Sequence, residues 1–196
     1  MILPIVAYGD PILRKKAEDI DKDYPQLDDL IQNMFETMYA AHGIGLAAPQ
    51  VGKAVRLFVV DASPFEDDED LTDEERSFLA SFKKVFINAQ ILEERGDEWA
   101  FNEGCLSIPD VREDVFRQPD ITIRYLDENF QEHTETFSGL AARIIQHEYD
   151  HIEGVLFTDK LSPLKKRLIK SRLTNISKGK ISVDYRMKFP MLKKKH

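Results

Sequence analysis

A single cysteine, Cys105, leaves no disulfide available within the chain. That residue is therefore a buried small hydrophobe, a nucleophile or a metal ligand. No stretch approaches the roughly 18 uninterrupted apolar residues of a membrane span. The start, Met1-Ile2-Leu3-Pro4, lacks the basic region and long apolar run of a signal peptide, so a cytoplasmic location without a membrane partner is expected. There is no internal repeat, and no glycine-rich loop ends in the G-K-S/T that holds phosphate. Basic residues are in deficit, 27 against 35 acidic ones, and the net charge of -8 argues against the whole chain being a nucleic-acid binder. What is present, 196 residues with 42% hydrophobic and 32% charged content, suffices for one sizeable core and is short for two. One domain over residues 1–196 is expected.

After a turn or helix start at Asp10-Pro11, Pro25 opens a segment with Leu27, Leu30, Ile31, Met34, Phe35 and Met38 at helical spacing. This predicts an amphipathic helix ending near Gly43. Residues 55–60 and 84–93 read as strands. Between them lies an acidic insert, 61–82, in which the consecutive carboxylates Glu66 to Asp70 precede a Thr72-Asp73-Glu74-Glu75 capping box. A solvated loop and a short helix are expected there. Ile121–Leu126 and Glu132–Phe137 alternate around Asp127-Glu128-Asn129 as a hairpin. A helix follows from Gly139 through His151, and another over Leu161–Lys178, opening at Ser162-Pro163 with Leu164, Leu168, Ile169 and Leu173 as its apolar stripe. Residues 181–187 add a strand. Hairpins without regular strand-helix alternation favour an α+β fold, with antiparallel or mixed β-sheets around a central helix and a further C-terminal helix.

The central helix carries His147-Glu148-Tyr149-Asp150-His151, an H-E-x-x-H pattern. At about 100° per residue both imidazoles leave one helix face, one turn apart, and can share a metal ion. Glu148 is placed to reach water beside that ion, which suits a general base. The competing explanation is two core histidines flanking a surface glutamate. Glu103-Gly104-Cys105-Leu106-Ser107 supplies a thiolate after a glycine that permits close approach, giving a three-ligand site with one position open. Gly43-Ile44-Gly45-Leu46-Ala47-Ala48-Pro49-Gln50 could let backbone pass a ligand closely, although glycine-rich turns often only turn.

Together, G-I-G-L-A-A-P-Q, E-G-C-L-S and Q-H-E-Y-D-H, in this order, resemble the three signature motifs of peptide deformylases. The likeness extends over about residues 1–178. It implies hydrolysis of the N-formyl group from the formylmethionine of newly made peptides, releasing formate. Cys105, His147 and His151 would bind one divalent metal, Fe2+ by resemblance, with Zn2+, Ni2+ or Co2+ as replacements. Glu148 would be the acid/base, and Gln50 with the Leu106 N–H would hold the oxyanion. The peptide would lie along Ile44, Gly45 and Gly104, with Arg112 a partner for its downstream part and Leu140 and Ile144 candidates for the methionine pocket. Arg143 stands where some relatives suggest an apolar residue and is expected to cover the pocket rim with its stem. Gln146 and Asp150 are expected either to orient the ligands or to serve structurally. H-E-x-x-H also marks zinc endopeptidases, and a non-catalytic metal-containing ribosome-binding module is the non-enzymatic alternative; E-G-C-L-S argues against the former.

The two charged regions lie outside these motifs. The insert lacks the alternating ligand spacing and glycine of a calcium loop, so a solvated surface is expected. The end of the chain, with Lys165, Lys166, Arg167, Lys170 and Arg172 and then a basic extension from about 179 that includes Lys193–Lys195, invites either contact with the ribosome or plain solvation.

Overall fold

The computed structural model describes residues 1–191. In chain order the elements are β1 (Ile5–Val6), α1 (Leu27–Ala40), β2 (Gly45–Ala47), β3 (Leu57–Asp61), α2 (Asp73–Ala80), β4 (Lys83–Arg95), β5 (Trp99–Cys105), β6 (Ile108–Arg117), β7 (Asp120–Leu126), β8 (Glu132–Ser138), α3 (Gly139–Ile152), α4 (Pro163–Ser177) and β9 (Met187–Lys188). Local chemistry sets several boundaries. Asp10 caps a 3-10 turn over Pro11–Arg14, Thr72 and Glu75 close a capping box on α2, and Ser162 caps α4 ahead of Pro163.

A five-stranded sheet in the order β2-β3-β4-β7-β8 forms the centre, antiparallel throughout. Side chains of a strand alternate between faces, so a strand covered on both sides is apolar at every position. Leu57-Phe58-Val59-Val60 in β3 is such a run, and all four residues are fully buried. Phe58 and Val60 join Phe86, Ile121, Ala142 and Ile145 on the α3 side. Leu57 and Val59 join Leu30, Met34 and Met38 on the α1 side. Phe58 stacks on Phe86 at 4.7 Å between ring centroids, and Phe86 meets Tyr125 at 4.4 Å. Each such buried side chain stabilises the fold by roughly 1.5–3 kcal/mol relative to exposure. The helix sandwiched against the sheet is thus α3, as the α+β reading requires, and it is buried on nearly every face.

Outside this sheet, β5 and β6 form an antiparallel hairpin, while β1 and β9 pair in parallel, Ile5 opposite Met187. Sequence reasoning did not find β5 and β6, and it placed the last strand too early: of the expected 181–187 region only Met187 enters a ladder, together with Lys188 after it. The apolar stripe of α4 also differs. Ile169, Leu173 and Ile176 face the β6 side, whereas Leu164 and Leu168 are 64% and 70% exposed, because α4 packs on one side only. The insert is not wholly solvated either. Its carboxylates Glu66, Asp67, Glu69 and Asp70 face outward, but Leu79 and Phe82 anchor it in the α3-side core. The Lys193–Lys195 run lies outside the described residues.

Candidate metal centre

Three elements converge on one point. α3 presents His147 and His151 from successive turns, with ring centroids 5.2 Å apart. The end of β5 presents Cys105, whose Sγ lies 3.3 Å from His151 Nε2. One ligand atom from each of these three residues falls within 4.8 Å of the others, the only such Cys/His/carboxylate group among the described residues that could hold a metal ion. A thiolate with two imidazoles is a donor set that fits a divalent transition ion and leaves a coordination position free.

The orienting carboxylate is Glu103, not Gln146 or Asp150. Glu103 Oε2 lies 2.9 Å from His147 Nδ1, so it fixes the ring with Nε2 toward the ligand cluster. Gln146 donates instead to the carbonyls of Gln118 and Ala142, and Asp150 accepts from Arg117 at 2.7 Å. Glu103 also accepts from Arg117 Nε at 2.7 Å and from Arg143 at 3.0 Å. Burial favours its neutral acid, but hydrogen bonds from His147 and Arg117 outweigh this and hold it far below the ordinary carboxylate range. Burial likewise favours neutral imidazoles; it prevails in His151, while Cys105 and Glu103 outweigh it in His147.

Arg143 lines the cavity, as expected, but as a buried residue. It is 2% exposed, donates to the carbonyls of Trp99 and Val115 at 2.7 and 3.0 Å, and lies 4.5 Å above the Trp99 ring. Its charge is tolerated because Glu103 and the two carbonyls receive it.

Glu148 projects from α3 into the same space. Its Oε2 is buried with no hydrogen-bond partner, and burial pushes the carboxyl up to about 7. It rests against Gly45 of β2, where an added Cβ would fall 2.4 Å from Oε1, so only glycine leaves room for this carboxylate. Gln50 follows β2 in a 3-10 turn. Its Oε1 accepts from Ala47 N–H at 2.9 Å, which aims Nε2 at Cys105 Sγ, 3.4 Å away, and at Ser107 Oγ, 3.2 Å away.

A cavity of about 800 Å³ opens over these groups, with Ile44, Gly45, Gly104, Leu106, Arg112 and Ile144 in its walls. Leu140 does not reach it and packs in the α3-side core instead. Gly104 is needed for Arg112 to approach, since a Cβ there would lie 2.7 Å from the guanidinium, which in turn is fixed by Asn102. Phe65, Phe101 and Tyr185 also line the cavity and were not singled out from the sequence. Phe65 comes from the acidic insert, and its neighbours there gave no apolar periodicity to mark it.

A helix-borne H-E-x-x-H, a converging cysteine and an unpaired buried glutamate beside an open cavity define a metallo-hydrolase of α+β fold. Comparison with known proteins narrows the class. The polypeptide deformylase family model matches residues 2–167. The peptide deformylase of Christiangramia forsetii is 72% identical over 99% of both chains, and that of Flavobacterium johnsoniae 63% identical over 99% of both. The crystal structure of a peptide deformylase from Legionella pneumophila superposes with a TM-score of 0.77 at 36% identity, covering 92% of this chain and 98% of that one. The chain belongs to the polypeptide deformylase family, metal-dependent hydrolases that remove the N-formyl group from nascent peptides.

Proposed function

We propose that Glu148, Gln50 and the Leu106 N–H carry out this deformylation around an ion held by Cys105, His147 and His151. The observation that carries the reading is the convergence of those three ligands beside a buried carboxylate whose Oε2 lacks a partner. A divalent ion supplies Lewis-acid chemistry there, making water more acidic and drawing charge from a carbonyl. Fe2+ is proposed as the ion in the cell, with Zn2+, Ni2+ or Co2+ able to replace it in a donor set of this kind. Metal analysis after anaerobic purification tests that choice.

Glu148 takes the proton of the attacking water as the new C–O bond forms at the formyl carbon. Gln50 Nε2 and the Leu106 N–H stabilise the oxygen that becomes negative, each such donor being worth about 3 kcal/mol of barrier in hydrolases. Glu148 then returns the proton to the amine as the C–N bond breaks, leaving formate and a free methionine amine. Cys105 serves as a ligand and forms no acyl intermediate. β2 is the edge strand of the sheet, so its free side is open to an extended peptide at Gly45, with Ile44, whose carbonyl accepts from Asp61 N–H at 2.9 Å, beside it and Gly104 and Arg112 opposite. Ile144 provides an apolar wall for the methionine side chain.

The same proposal treats residues 1–196 as one working unit in the cytoplasm. Among the described residues no helix is long and apolar enough to cross a membrane. Exposed Lys166, Arg167, Lys170 and Arg172 on α4 support contact with ribosomal phosphates.

Formate release from a formyl-methionyl peptide, compared with acetate release from its acetylated counterpart, tests the reaction. Glu148→Gln is expected to lower turnover by about two to four orders of magnitude with metal retained. Unaltered turnover in that variant would remove Glu148 from the chemistry.

A further inference from the structure

The turn between β5 and β6 follows directly on Cys105 and carries the Leu106 N–H, and the strand ladder closes it through an irregular step. The pairing register slips between Glu103 and Cys105, leaving Cys105 opposite Ile108 across an irregular step. Bonds from elsewhere add to that pair. Tyr8 N–H donates to Ser107 O at 2.8 Å, and the Tyr185 hydroxyl donates to Leu106 O at 2.8 Å.

These two donors belong to segments that are bonded to each other. Ile5 N–H donates to Arg186 O at 2.8 Å and Ala7 N–H to Lys188 O at 2.9 Å, which is the β1–β9 pair. The carbonyls of Leu106 and Ser107 are therefore gripped by a small parallel clamp made from the two ends of the described chain. Tyr185 is partly buried against the α1-side core, and Ser182, Val183 and Asp184 continue from it along the cavity wall. All four lie beyond residue 167, where the match to the family model ends.

The geometry points to Tyr185 as a positioning residue: its hydroxyl holds the Leu106–Ser107 peptide so that the adjoining Leu106 N–H keeps its aim into the cavity. This rests on the reading of the Leu106 N–H as an oxyanion donor. It makes residues 182–185 a working part of the active site.

The test uses the full-length, metal-loaded protein and a short formyl-methionyl peptide. Tyr185→Phe keeps the ring and removes one hydrogen bond, so kcat is expected to fall about three- to tenfold while KM stays within about twofold. Metal stoichiometry and melting temperature are expected to stay at the wild-type values. Tyr185→Leu, which also removes the wall, is expected to show the same loss in kcat with a raised KM. Wild-type kcat in Tyr185→Phe would overturn the inference, and so would a loss of kcat that tracks loss of metal, which would mark Tyr185 as general support for the ligand. Gln50→Leu separates the two levels of argument. If it slows turnover and Tyr185→Phe does not, only the role of Tyr185 falls; if it leaves kcat intact, the oxyanion reading falls and takes this inference with it.

Discussion

The region around α3 and the acidic insert are both dense in charge and treat it in opposite ways. Glu103, Arg117, Arg143 and Glu148 are each at most 4% exposed, and the first three share a continuous hydrogen-bonded network with His147. In the insert, Glu66, Asp67, Glu69 and Asp70 face solvent, which screens them from one another. A count of charged residues distinguishes nothing between these regions. What differs is whether water can replace a lost partner: it can in the insert and cannot beneath α3, where removing one partner strands the others.

Glu103→Ala is the sharpest way to break that contrast. It leaves two guanidinium groups and His147 Nδ1 without their shared acceptor, and a loss of about 3–5 kcal/mol is expected, read by denaturant unfolding. Metal affinity should fall about 10- to 100-fold in the same variant, because the imidazole is no longer oriented. A loss below about 1 kcal/mol would mean that water enters the network, and the two regions would then be alike.

Gly45→Ala probes Glu148, the one of these four residues that stands outside the network. The new Cβ displaces the Glu148 carboxylate, and about a hundredfold loss of kcat is expected with the fold and the metal retained. Steady-state kinetics beside metal analysis checks this. The smallest effect is expected in the insert: Thr72→Ala removes the cap of α2 and should cost about 1 kcal/mol, read as a small drop in melting temperature, with formate release unchanged.

The same contrast explains what could be read in the sequence. α1, α2, the β7–β8 hairpin and the H-E-x-x-H helix were legible because their signals are local: apolar spacing, a capping box, alternation around a turn, two histidines four apart. The β5–β6 hairpin was not, because Glu103 and Arg117 occupy inward positions that a strand pattern reserves for apolar residues. Their mutual pairing, which makes that burial possible, spans 14 residues. The burial of Arg143 was not legible for the same reason, since its acceptor Glu103 lies 40 residues away. Gln146 and Asp150, the polar neighbours of the histidines, take structural bonds, and the fold supplies the orienting carboxylate, Glu103, from β5. Leu164 and Leu168 satisfied a helical stripe, yet nothing in a periodic pattern states how wide the opposing surface is.

The parallel pairing of β1 with β9 has a consequence for how the protein is made. Ile5 is synthesised before every helix, and Met187, the partner that closes its ladder, after all of them and after every strand of the five-stranded sheet. It is the contact of longest sequence separation among the paired strands, and loop closure of this kind comes at a high entropic cost. If Tyr185 positions the catalytic turn, a chain still lacking its last strand holds its sheet, its helices and all three metal ligands but not a finished active site. Full activity then waits on the arrival of Tyr185 and the strand that follows it.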